Sequence, residues 1–284
     1  MSLKKRALLC FVLLGLLFAA VSCAETVTLC GVEIDTQAAE IDFGERAVQD
    51  VEDLIALIEQ MPNLMRVDMY HSKLSLADMD RLFDGYPQIR FGWTLYMGKH
   101  VARTDATSFS TLHGKCPEHD ETFFAPLRFC RDLVALDLGH NRIRDISFLR
   151  NFPHMKVLIL ACNKIEDISV LGELKELEYL ELFSNRFKDV APLAQLTALR
   201  DLNISNNPVS DLTPLHQMAN LERFWCTMSD KRITRQERRD IEQALPNCSY
   251  YWDGQPTLGG WRKHPHYDTI HAIFNKGGYR PFDD

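Results

Sequence analysis

The chain has 284 residues, 46% of them hydrophobic and 25% charged, with a formal net charge of −7. This composition supports a folded core and excludes a disordered chain, a collagen-like chain and a polytopic membrane protein. The mild acidity carries no electrostatic footprint for DNA or RNA, so no nucleic-acid partner is expected.

Lys4, Lys5 and Arg6 form a basic stretch ahead of Ala7 to Val21, fifteen residues without a charge. A membrane span needs about 20 apolar residues. The shorter run reads as the apolar region of a secretory signal over residues 1–22. Two processing routes fit. Ala20-Val21-Ser22-Cys23 resembles a bacterial lipobox, which would lipidate Cys23 as the first mature residue. Ser22-Cys23-Ala24 also fits a small-x-small site cut after Ala24, and an uncleaved anchor is a third arrangement. The protein is therefore expected to be exported, extracellular or a cell-surface lipoprotein. Membrane contact is expected only through such a lipid.

Residues 24–93 read as irregular repeats and an N-terminal cap. Val51 to Ile58 is helix-like, Pro62 breaks the pattern, and Arg66 to Met69 is strand-like. Residues 74–93 predict a helix, a break at Pro87 and a strand ending in Trp93. Residues 233–252 repeat that plan, aligning Leu74 with Ile233, Pro87 with Pro246 and Trp93 with Trp252. Between them, residues 94–122 fit no repeat and read as an insertion, with a hairpin over 94–103 and a polar loop over 113–121.

From Leu133 the chain has a period of 22 residues: LVALDLGHNRIRDISFLRNFPH, MKVLILACNKIEDISVLGELKE, LEYLELFSNRFKDVAPLAQLTA, LRDLNISNNPVSDLTPLHQMAN. Asn141, Asn163, Asn185 and Asn207 fall in one column, and Asp145, Asp167, Asp189 and Asp211 in another. A Leu column runs from Leu127 to Leu215, and Leu221 to Cys226 supplies a fifth strand. Leu136 and Leu138 alternate with Asp137, the mark of a strand with one buried face. Each Asn suits the bend, where its amide can pair backbone groups that have no ladder partner. Each Asp suits the cap of the turn that follows. A single repeat buries too little to offset the ordering of its backbone, so stability must come from stacking, and the exposed ends need caps.

This pattern, over about residues 123–229, resembles the leucine-rich repeat LxxLxLxxNxL. Its 22-residue form is similar to the internalin-type repeats of bacterial surface proteins. The phrases FGWT, DLVALDLGHN and WRKHPHYD also resemble uncharacterised exported leucine-rich-repeat proteins of gut bacteria, a likeness that implies no activity. The implied fold is an α/β leucine-rich-repeat solenoid. Parallel strands would line its concave face, short helices and turns its convex face, and irregular repeats would cap it. In internalin-type proteins the concave face contacts protein partners, and the resemblance implies the same surface here.

Residues 230–284 read as an irregular repeat and a capping tail. Tyr267 to Asn275 predicts a helix with Ile270, Ile273 and Phe274 on one face, ended by Gly277-Gly278. This tail is expected to fold back on the array.

The repeat register predicts a ligand face. Asp137, His140, Val157, Ile159, Tyr179, Glu181, Phe183, Asp201, Asn203, Arg223 and Trp225 point to the concave side or its rim. Val157, Ile159, Tyr179 and Phe183 adjoin on this grid, and aromatics among polar groups are the composition of a binding hot spot. The opposing arrangement is that residues 94–122 or the tail cover the face. No nucleophile, phosphate-loop or dinucleotide motif is present. His113, Cys116 and His119, with Asp120 adjacent, have metal-like spacing, as do His264, His266, Asp268 and His271. Both read as a polar loop and surface histidines, so no metal, cofactor or catalytic residue is assigned. The leading expectation is non-catalytic recognition of an unknown protein or peptide through the concave face. The alternatives are an envelope lipoprotein scaffold with a self-covered face and, behind it, a metal-dependent hydrolase. Eight cysteines are present; Cys10 and Cys23 lie in or at the signal, and the other six fit either three disulfides or buried thiols, with Cys130 and Cys226 at core positions.

Overall fold

The structure, a computed structural model, describes residues 25–111, 118–227, 232–253 and 264–282. The expected signal with Cys23, the His113–Cys116 pair and Trp261 lie outside them.

The described chain opens with an antiparallel hairpin, β1 (Thr26–Leu29) and β2 (Val32–Asp35). Next, β3 (Glu40–Asp42), α1 (Val51–Ile58), β4 (Arg66–Asp68), α2 (Leu76–Gly85) and β5 (Arg90–Gly92) alternate along the chain. The three strands form a parallel sheet in that order, with the helices as crossovers. Asp50 caps α1 by accepting the N–H groups of Glu52 and Asp53, while Ser75 and Asp78 form a capping box on α2. A second hairpin follows, β6 (Thr94–Met97) with β7 (His100–Arg103), as the sequence predicts.

The main sheet has seven parallel strands in chain order: β8 (Ser108–Ser110), β9 (Ala135–Asp137), β10 (Val157–Ile159), β11 (Tyr179–Glu181), β12 (Asp201–Asn203), β13 (Arg223–Trp225) and β14 (Ser249–Tyr251). Helix α3 (Arg235–Ala244) crosses between the last two, with a capping box from Thr234 and Glu237. Helix α4 (Tyr267–Lys276) follows. One core, including Trp93, Leu136, Leu158, Leu180, Leu202 and Phe224, runs beneath both parallel sheets.

Within the 22-residue repeats the return path is too short for an α-helix. It is a 3₁₀ turn at Ser147–Asn151, Ser169–Glu173, Ala191–Gln195 and Thr213–Gln217. The Asp column does what its position predicts: Asp145, Asp167, Asp189 and Asp211 each accept the backbone N–H two residues on, at 2.8 Å. The Asn column forms a buried ladder. Asn163 Nδ2 donates to the carbonyls of Leu138 and Leu160, and its Oδ1 accepts the N–H of Ile143; Asn185 repeats this with Leu160, Leu182 and Ile165. Each Asn thus satisfies groups in two adjacent repeats. The residue before it, His140, Cys162, Ser184 or Asn206, is left-handed with φ of 57–58°, which turns the strand into the bend.

Residues 94–122 are not wholly an insertion. Their Ser108–Ser110 segment adds β8 to the start of the main sheet, paired with Ala135–Asp137. Three residues with one buried apolar side chain, Phe109, are too few to display a period. Strand β3, with Ile41 as its one buried side chain, escapes the sequence for the same reason.

The five described cysteines are free thiols. Burial pushes the Cys130, Cys226 and Cys248 thiols up to about 12, whereas Cys30 is exposed. The thiolate is the reactive species. Iodoacetamide at pH 8 is therefore expected to label Cys30 in the native protein and the three buried cysteines only in denaturant, as read by peptide mass spectrometry. Native labelling of Cys226 at the rate of Cys30 would contradict this packing.

Candidate functional site

Strand register sets two rows of side chains on the concave side. One runs Ala135, Val157, Tyr179, Asp201, Arg223; the other runs Asp137, Ile159, Glu181, Asn203, Trp225. The sequence-predicted site residues therefore do come together on one face. They are not open to solvent. Asp137, Val157, Ile159, Tyr179, Glu181, Asp201, Asn203 and Trp225 are all buried, Phe183 and Arg223 are half-buried, and only His140 is exposed, on the rim.

The cover is the C-terminal segment. Ile270 and Ile273 of α4, with Phe282 beyond it, form one buried cluster with Val157, Ile159, Tyr179 and Trp225, and Phe274 and Tyr279 pack at its edge. The apolar helix face predicted from sequence is real, but it closes the concave face and does not cap an end of the array. An exposed apolar patch on both surfaces would cost more than their union, which is why the two meet.

Polar contacts fix both ends of the cover. At one end, Ser108 Oγ accepts the N–H of Gly278 at 2.9 Å and Thr107 Oγ1 accepts that of Tyr279 at 3.0 Å. At the other, His266 Nδ1 lies 2.5 Å from Asp201 Oδ2. Arg223 Nε donates to Asp201 Oδ1, and its Nη2 lies 2.8 Å from Glu222 Oε2 and 3.1 Å from His266 Nδ1. Rings close the gap: Phe282 stacks on His266 with centroids 4.4 Å apart, and His264 stacks on Tyr179 at 5.8 Å.

These contacts shift protonation. Burial pushes His264 down to about 4, so its imidazole is neutral near pH 7. Burial alone would raise the Asp201 carboxyl, but hydrogen bonds to His266 and Arg223 and their charge hold it below the usual value. Burial, then the carboxylates of Glu181, Asp201 and Asp137, keeps the Tyr179 phenol well above its ordinary range. Tyr179 is thus a neutral, largely apolar wall.

The tail histidines, read from the sequence as surface histidines, are split: His264 and His266 are buried. His264 and His266 turn inward to Asp201, while Asp268 and His271 stay exposed on α4, where Asn275 Nδ2 lies 2.8 Å from His271 Nδ1. The reason is helical phase: Ile270 and Ile273 take the inward face, so His271 must face out. Sequence reasoning missed Thr107, Ser108 and the His266–Asp201 contact. A 22-residue offset does place Arg223 opposite Asp201, a signal that was available; nothing local points to His266.

The family model for Leucine Rich repeats (2 copies) matches residues 132–173 and 175–215. These are leucine-rich repeats. No curated protein matches the chain. Among solved structures, the leucine-rich-repeat array is similar to internalin C2 of Listeria monocytogenes, at 23% identity and a TM-score of 0.43 over 76% of this chain and 80% of that one. It is similar to a leucine-rich-repeat protein of Leptospira interrogans at 20% identity and 0.46, over 69% and 50%. A further internalin of Listeria monocytogenes is similar at 16% and 0.40, over 78% and 83%. Likeness at this level concerns the architecture alone.

Proposed function

We propose that the protein is a non-catalytic recognition protein, exported or surface-tethered, that holds a peptide or protein segment on the concave face of its leucine-rich repeats. The observation that carries this reading is the cover itself. The face already holds an amphipathic ten-residue helix, α4, through apolar side chains at the centre and polar contacts at both ends. An apolar centre with a polar rim is the anatomy of a recognition surface. The helix occupies it in cis, and a partner segment with the same amphipathic pattern takes its place. Export is supported by Lys4, Lys5 and Arg6 preceding an uncharged run, and tethering by Cys23 in a lipobox-like setting. No described helix is long and apolar enough to cross a membrane.

The test inserts a protease site within residues 254–263 and cuts the folded protein. The severed tail is expected to stay bound through gel filtration. Tyr179→Ala with Phe183→Ala weakens its affinity by about 2 kcal/mol, roughly thirtyfold in Kd. Immediate loss of the cut tail from the unmutated face would sink the reading. The second reading is an envelope scaffold whose face stays self-covered, favoured by the buried Arg223–Asp201–His266 contacts. A tail that remains bound and that no amphipathic peptide displaces would select it.

A further inference from the structure

Under the tail, three residues of metal-ligating type converge. Asp201, His264 and His266 are all buried, and one ligand atom from each lies within 4.8 Å of the others. Asp201 stands on β12, in the concave row between Tyr179 and Arg223. His264 and His266 flank Pro265, immediately before α4. We propose that these three side chains bind a zinc ion that staples the C-terminal segment to the sheet.

The donor set is what points to zinc. Two imidazoles and one carboxylate, with a fourth position for water, are a recurrent tetrahedral Zn²⁺ set, with ligand bonds of about 2.0–2.2 Å. In that geometry ligand atoms stand about 3.3 Å apart. The observed spread closes to this by rotation of the side chains, while the 2.5 Å contact between His266 and Asp201 opens to it. The surrounding contacts orient the ligands. His264 Nδ1 accepts the backbone N–H of His266 at 3.2 Å, which places the ring proton on Nε2, so coordination through Nε2 moves that proton to Nδ1 and opens this contact. Arg223 Nε donates to Asp201 Oδ1, which turns Oδ2 toward the histidines. Such outer hydrogen bonds fix the orientation of metal ligands. Glu181 and Asp137 are further buried carboxylates on the same face, so the setting favours a cation despite Arg223.

The site joins two parts of the chain about 60 residues apart in sequence, Asp201 and the 264–266 turn, so occupancy stabilises the closed arrangement by mass action. The role assigned is structural. It extends beyond the recognition reading and stands whatever the partner is, because it needs only the docked tail.

The experiment uses the full chain without a polyhistidine tag, stripped with EDTA and titrated with ZnCl₂. One Zn²⁺ per chain is expected by calorimetry and mass spectrometry under non-denaturing conditions. Zinc should raise the melting temperature and slow trypsin cleavage after Lys276. His264→Gln, outside the Arg223 contacts, should bind zinc about tenfold or more weakly, and zinc should raise its melting temperature less than the wild type's, each compared with its own EDTA-stripped form. No uptake at micromolar zinc, or equal uptake by the variant, overturns the proposal. Should that variant fail to fold, crystals of the zinc-soaked wild type decide by anomalous scattering at the zinc edge. A peak among Asp201, His264 and His266 supports the site; a peak elsewhere, or none, refutes it.

Discussion

Replacing Leu180 with alanine is expected to destabilise the array by about 2–5 kcal/mol. Leu180 is 1% exposed and sits mid-sheet on β11, in register with Leu158 on one side and Leu202 on the other. Both neighbours are held by parallel ladders and by the Asn column, so the backbone has little freedom to collapse into the vacated volume. The loss is therefore the transfer term plus most of a cavity. A repeat array adds a second consequence. Each repeat contacts its neighbours only, so a weak centre uncouples the two ends. Urea unfolding followed by circular dichroism is expected to show a lower midpoint and a broader transition than the unmutated chain. A loss below about 1 kcal/mol would mean that the repeats repack around the gap, contrary to the rigid stacking described here.

Arg223→Ala is expected to cost about 3–5 kcal/mol, the usual penalty for removing one member of a buried ion pair. The Asp201 side chain is 0% exposed and that of Arg223 12%. Removing the guanidinium leaves the carboxylate buried, with the His266 ring 2.5 Å from its Oδ2. Arg223→Lys keeps the charge but loses the planar fork that reaches Asp201, Glu222 and His266 together, so it should recover only part of the loss. Adding Asp201→Asn to Arg223→Ala should recover stability, because the orphaned charge is gone. The double-mutant cycle measures this directly. A strictly additive cycle would show that the pair is not coupled.

The two substitutions differ in what made them foreseeable. Leu180 announces itself, since the column recurs every 22 residues and alternation assigns it to the buried face. The Asn and Asp columns are equally plain, because each performs a local task that only its residue type can perform. Helices α1, α2, α3 and α4 are legible from apolar periodicity and their breaks. The concave face is legible in membership and misleading in exposure. Register alone puts Val157, Ile159, Tyr179 and Trp225 on one surface, and from the array alone that surface reads as an open hot spot. Likewise Ile270, Ile273 and Phe274 read as one face of a helix, without saying what they cover. The histidine pattern is the hardest case. Spacing groups His264 and His266 with Asp268 and His271, whereas the third partner, Asp201, lies some 60 residues earlier.

Repeat length, strand register, the Asn ladder and the Asp caps of the turns are all legible in the chain, because each depends on neighbours within one or two periods. Only the tertiary structure decided that β8 opens the main sheet, that α4 lies across the concave rows, and that Asp201 meets two histidines of the tail. Those contacts join segments with no shared period, and they are selected by the fit of two apolar surfaces that a one-dimensional pattern can identify separately but cannot bring together.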